Sequence, residues 1–223
     1  MVERQKIGIP IFLNSKENSG VTNYVINILF ALKTLKNEVK PTVIIYYTNN
    51  VHEDLSFFKS SNYEYLNFVS LDAVHPQNLI KKAINKFARF FLKKNIFINT
   101  SIYDGVDFFY PFWDYISELT YIDSSKRIHW LVDFNSYYFP EYYSTDKLNF
   151  DQNWKKRVVE SGEKIVLSSY SSKKEFEKLF PLAQNDVKVL QFAVSTVFDK
   201  IDINFLLNKF QLPSKYFVVL NQF

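Results

Sequence analysis

Residues 6–13, KIGIPIFL, constrain this chain more than any other stretch. A strand that is apolar on both faces must be covered on both sides, which places it inside a parallel sheet. The next periodic segment, residues 20–35, carries Val21, Tyr24, Val25, Ile28, Leu29 and Leu32 at helical spacing. The alternation then repeats. Strands are expected at 42–47, 65–69, 107–112, 164–168 and 187–192, with another opening at Arg127. The 65–69 segment is short and suits a sheet edge. Helices are expected at 54–59, 77–94 and 154–161, and one more, capped by Ser171 or Ser172, running to Phe180. This βαβα rhythm predicts an α/β fold with a doubly wound, Rossmann-like parallel sheet over residues 1–192. Beyond it, residues 202–210 read as a short helix and 212–214 as a turn. YFVVL at 216–220 reads as a new buried strand. The expectation is a linker over 193–214 and, in 215–223, the first strand of a further domain that the chain does not contain.

Composition excludes more than it selects. The 223 residues are 47% hydrophobic and 22% charged, as in ordinary globular proteins, and are long enough to bury roughly 70% of the unfolded surface. With no cysteine there is no disulfide, no thiolate ligand and no cysteine nucleophile. A net charge of +4 is too mild to mark a nucleic-acid binder. His52, His75 and His129 fall on different elements without ligand spacing, so no metal is expected. No secretory pattern opens the chain and no run of 18 apolar residues occurs, which leaves a soluble or peripheral protein as the expectation.

The chemistry concentrates in residues 127–144, RIHWLVDFNSYYFPEYYS. A β-rich run ends at Asp133, and turn and capping residues, Asn135 and Ser136, follow with Tyr137, Tyr138, Phe139 and Pro140. In open α/β sheets, ligands bind beside loops at the carboxyl ends of strands. Phe112-Trp113-Asp114 ends the preceding strand and should reach the same crevice. Asp133 could orient a hydroxyl through a charge-assisted hydrogen bond, or simply cap the turn. Trp113, Tyr137 and Tyr138 offer flat faces of the kind sugars stack against, or else fill the core.

Several motifs together resemble the family 4 glycosyltransferases of the GT-B group. WLVDFNSYYFPEYYS is similar to their W-x-x-D-F-Q-H-x-x-x-P-E-x-F-S run, and Arg157 falls where they carry an arginine. IVLSSYSSKKEFEKLFP resembles their strand, double serine, capped helix and proline. KVLQFAVSTVF and YFVVLNQF resemble later segments, and NSKENSGVTNYVINILFAL resembles the glycine loop and first helix, G-G-x-x-x-Y. The likeness covers essentially the whole chain. It departs in two places: Asn135-Ser136 replaces a Gln-His pair, and the paired glycines are reduced to Ser19-Gly20.

The resemblance implies the N-terminal, acceptor-binding half of a retaining glycosyltransferase. Its donor, a nucleotide sugar, would be held largely by a second domain carrying an E-x7-E pair, so this chain alone is expected to be inactive and to bind no cofactor. Acceptors would be glycans or lipid-linked glycans in polysaccharide or surface-glycan synthesis. The location would be the cytoplasm or the inner face of its membrane. Ser19 and Gly20, with Asn14 in the loop before them, would meet donor phosphate or acceptor through amides at a helix N-terminus. Asp133 would be catalytic, and Trp113, Asp114, Asn135, Ser136, Tyr137 and Tyr138 would contact acceptor. The alternative is a non-catalytic Rossmann-like binding module.

LIKKAINKFARFFLKK, residues 79–94, carries one further signal. Ile80, Ile84, Phe87 and Phe91 form a stripe, with Lys81, Lys82, Lys86, Arg89 and Lys93 on the other side. Basic amphipathic helices can dock on anionic lipid. In a doubly wound fold, however, the stripe is expected to cover the sheet, leaving the basic side solvated and Phe90 the surplus apolar residue.

Overall fold

The computed structural model describes residues 4–12, 19–48, 51, 55–75, 78–92, 96–114, 116–192, 203–211, 213 and 215. Seven parallel strands form one sheet in the order β3-β2-β1-β4-β5-β6-β7. They are β1 (Lys6–Ile11), β2 (Thr42–Tyr47), β3 (Leu66–Ser70), β4 (Phe108–Phe112), β5 (Arg127–Leu131), β6 (Lys164–Leu167) and β7 (Val187–Val189). The helices are α1 (Ser19–Lys33), α2 (Leu55–Lys59), α3 (Leu79–Leu92), α4 (Asn135–Tyr138), α5 (Thr145–Glu160), α6 (Tyr170–Leu179) and, beyond the sheet, α7 (Ile203–Lys209). The doubly wound, Rossmann-like α/β expectation holds. β3 occupies one edge, as its short, weak pattern suggested, and β7 the other.

Strand alternation divides the interior into two cores. Val43 and Ile45 of β2 join Ile9, Ile11, Val25, Leu29, Leu55 and Phe58 on one side. Ile44 and Tyr46 join Phe109, Phe112, Trp130, Leu131 and Phe134 on the other. Gly8 permits the central β1–β4 contact, because a Cβ there would collide with the buried Phe109 ring. β4 contains Pro111, whose missing N–H cannot join a ladder, and the β4–β5 register shifts between Phe109 and Phe112. The Tyr110–Pro111 bond is cis.

Three boundaries depart from the sequence reading. α5 begins at Thr145, not Trp154, with Ser144 Oγ accepting from Lys147 N at 3.4 Å. Its first half, TDKLNFDQN, lacks an apolar period because only Trp154, Lys155 and Val158 turn fully inward. α6 is capped by Ser169 and not by Ser171 or Ser172: its Oγ accepts from Ser172 N at 3.0 Å. β7 stops at Val189: Leu190 N still donates to Leu167 O at 2.9 Å, but Phe192 then turns its ring toward Tyr24 and Trp130, centroids 5.3 and 6.1 Å away.

The chain divides into two compact units, Met1–Ala193 and Val194–Phe223. The first contains the whole sheet. In the second, α7 matches the short helix expected at 202–210. The strand expected at 216–220 lies outside the described residues.

Candidate functional site at the carboxyl ends of β1, β4 and β5

The strand order reverses between β1 and β4, where successive crossovers leave in opposite directions. At such a switch point the carboxyl-end loops part and leave a crevice. The described residues around it are the start of α1, Trp113 and Asp114 after β4, and 132–138 after β5. Asn14 lies outside the described residues. α1 begins at Ser19, so Gly20 is an exposed residue of a helical first turn. It is not among the glycines with positive φ, so its value there would be close approach to the backbone, not a left-handed conformation.

The side chains behind this opening are interlocked aromatics. Tyr24 of α1 stacks on Trp130 of β5, ring centroids 3.9 Å apart and 15° from parallel. Its hydroxyl meets that of Tyr110 on β4. Burial raises the pKa of both phenols, so they stay protonated and can share one hydrogen bond. The Trp130 indole N–H donates to Ser168 Oγ at 3.0 Å, tying β5 to the loop after β6. The tyrosine of G-x-x-x-Y and the tryptophan of W-x-x-D-F are thus one clamp joining α1, β4, β5 and β6.

The expected acceptor contacts separate into two groups. Trp113 is buried, its ring edge-on to Phe12 at 5.3 Å and 78°. Of the two roles the sequence leaves open, this is the core position, where a two-ring apolar side chain gains more than in water. Ser136 is fully buried, its Oγ without a hydrogen-bond partner among the described residues. Tyr137 is half-buried against Phe180 and serves packing.

Asp114, Asp133, Asn135 and Tyr138 remain reachable. Asp133 Oδ1 accepts from Asn135 N at 3.1 Å, which starts the α4 turn. Burial, then the charges of Asp133 and Asp151, raise the pKa of Tyr143. Asp114 Oδ2 is 3.5 Å from Arg157 Nε of α5. Its other oxygen, Oδ1, is buried with no partner among the described residues. A carboxylate oxygen in that condition can accept a further hydrogen bond at little extra desolvation cost.

α5 holds this wall in place. Gln152 Nε2 donates to Ser136 O at 2.9 Å. Lys155, buried, pairs with Asp151 at 2.6 Å and sits over the Phe134 and Tyr137 rings at 5.5 and 5.9 Å. The sequence reading missed Gln152, Lys155 and Tyr110. The available signal is a lysine one residue after Trp154, on the inner face of a helix whose first half shows no apolar period.

Histidines contribute elsewhere. His75 Nε2 meets Glu118 Oε1 at 2.9 Å. His129 Nε2 meets Glu163 Oε2 at 2.5 Å, and Arg127 Nη1 approaches the other oxygen at 3.2 Å. Arg127 opens β5 and Glu163 precedes β6, so this cluster lies toward the amino ends of the strands, away from the crevice. His52 lies outside the described residues. Among the described residues, no group of three or more His, Asp or Glu could hold a metal.

Fold and site together define a doubly wound parallel α/β domain with an acidic, partly aromatic wall at its switch point. Comparison with protein-family models, curated proteins and solved structures gave no match to this chain.

Proposed function

We propose that this chain is the acceptor-binding half of a retaining GT-B glycosyltransferase that moves a sugar from a nucleotide-sugar donor to a glycan or lipid-linked acceptor. The observation that carries the reading is the placement of its motif residues. Asp114, Asp133 and the first turn of α1 all lie at the carboxyl ends of β4, β5 and β1, flanking one switch point. Transfer requires an acceptor hydroxyl held in line and diphosphate charge stabilised as the glycosidic bond breaks. Asp133 holds the hydroxyl. Amides at the start of α1, with Gly20 allowing close approach, face phosphate. Arg157, half-exposed beside Asp114, presents a cation at the same rim. The base, ribose and remaining phosphate contacts belong to a donor-binding domain, and the working location is the cytoplasm at the inner face of a membrane.

The second reading, a binding module without turnover, is favoured by one observation. Ser136 stands at the family's histidine position and is fully buried, so it offers no side chain to a reacting sugar.

The test is transfer of labelled sugar from UDP- and GDP-sugars in the complete enzyme, wild type against Asp133→Asn. The variant should lose roughly 10- to 1000-fold in kcat/KM, about 1.4–4 kcal/mol. Its thermal unfolding should be unchanged, because Asn also accepts the Asn135 amide. Wild-type turnover in the variant would leave Asp133 as a turn cap. No transfer by the wild type would favour the binding module.

A further inference from the structure

α3 is turned the opposite way from the sequence expectation. Its inward contacts come from Asn85 and Ala88, both buried. Asn85 is the anchor: Oδ1 accepts from Ile96 N at 2.9 Å and Phe97 N at 2.8 Å, and Nδ2 donates to Phe97 O at 2.6 Å. The large apolar side chains face outward, with Leu79 80%, Ile80 70%, Phe87 66%, Phe90 73% and Phe91 60% exposed. At about 100° per residue, the residues from Leu79 round to Ile84 span an arc of about 140° centred away from Asn85. Seven exposed large apolar residues on one 14-residue helix (Ile84 and Leu92 complete the set) exceed the scattered exposure expected of a free surface.

We propose that α3 is a docking helix that lays this arc into the headgroup boundary of an anionic lipid bilayer. Charge decides the occupant. α3 contains no acidic residue, and Lys81, Lys82 and Lys86 form no ion pair among the described residues. Lys82 and Lys86 fall along one flank of the arc, while Lys81, exposed beyond its other end, sits over the Phe97 ring at 5.4 Å. A second copy seated face to face would bring like-charged lysines together with no counter-charge from either helix. An anionic membrane neutralises them while the rings enter the acyl boundary, ~5–10 Å deep. The helix start is fixed for the purpose, with Asn78 Oδ1 accepting from Ile80 N at 2.9 Å and Lys81 N at 3.3 Å. The proposal stands apart from the sugar-transfer reading, since vesicles without donor or acceptor report on it alone.

The experiment is flotation of the 223-residue chain with vesicles of phosphatidylcholine and phosphatidylglycerol in equal parts, and of phosphatidylcholine alone. The chain should float with the mixed vesicles, lose that binding in high salt, and stay behind with the neutral ones. Each cation near the surface contributes about fivefold in partitioning. The triple variant Lys81→Gln, Lys82→Gln, Lys86→Gln should therefore bind on the order of a hundredfold more weakly. Phe87→Asp with Phe91→Asp should abolish flotation while leaving circular dichroism and thermal unfolding unchanged. Failure of the wild type to float, or flotation indifferent to Phe87→Asp and Phe91→Asp, overturns the proposal. So does a sedimenting dimer that the same pair of changes dissociates, which would make this face a contact between copies.

Discussion

Lys155 and Lys86 both lie on helices beside phenylalanines, and they serve opposite ends. Lys155 is buried, paired with Asp151 and set over the rings of Phe134 and Tyr137, which themselves pack against Phe180. Lys86 is exposed beside Phe87, Phe90 and Phe91, rings that touch one another but face outward. The crevice wall spends its aromatic and basic residues on rigidity, so that Asp133 and Asp114 are held still. α3 leaves the same residue types exposed and, among the described residues, without counter-charge, the arrangement of a surface that completes itself against something else. Composition alone does not tell a core from an interface. Counter-charge and coverage do.

Phenylalanine truncation should separate the two regions most. Phe134→Ala empties a fully buried site and should cost about 3–5 kcal/mol. Phe87→Ser on α3 should stay within about 0.5 kcal/mol. Urea unfolding midpoints measure both, and comparable losses would mean that α3 is covered after all.

Lysine replacement repeats the contrast at smaller scale. Lys155→Met leaves Asp151 without its cation and should cost about 3 kcal/mol, the low end for a broken buried pair because Asp151 keeps 28% exposure. Lys86→Gln should change unfolding by less than about 0.5 kcal/mol. A neutral Lys155→Met would mean that packing under the rings, not charge, holds α4 to α5.

Within the clamp, Trp130→Phe keeps a ring against Tyr24 but removes the indole N–H bonded to Ser168. A loss of about 1 kcal/mol is expected in chemical denaturation. A much larger loss would assign the clamp to ring area and not to the hydrogen bond.

The smallest effect concerns acid. Burial pushes the Glu118 carboxyl up, but hydrogen bonds from His75 and Ser117 outweigh it and hold its pKa below the ordinary value. A carboxylate depressed in the folded state adds stability above its unfolded pKa and loses it as pH falls through the folded one. His75→Ala should flatten that acid limb in a thermal-unfolding series against pH. Because Glu118 lies on neither the crevice wall nor α3, the change should leave both flotation and sugar transfer untouched.

Much of the fold was legible because it follows from local periodicity. Apolar runs such as TVIIYY at 42–47 fall on their strand, and α1 and α3 appear within two residues of their expected ends. Turn chemistry was readable too, as at Asp133, where a carboxylate two residues before Asn135 bonds its amide. The site was only half legible. Its location followed from strand ends, but whether Trp113 or Ser136 opened toward ligand depended on Phe12 and on α5, partners distant in sequence. α5 itself was underestimated because a helix that buries only its second half shows no apolar period in its first.

The sequence by itself determined the alternation of strands and helices, the two-sided burial of β1 and the absence of cysteine chemistry. It also determined that α3 has two faces. Which face meets the protein was decided only in the folded chain, where Asn85 satisfies three backbone groups of residues 96 and 97. A helical pattern has a period but no external direction. One buried carboxamide, costly to leave unpaired, fixes that direction and turns the apolar arc outward.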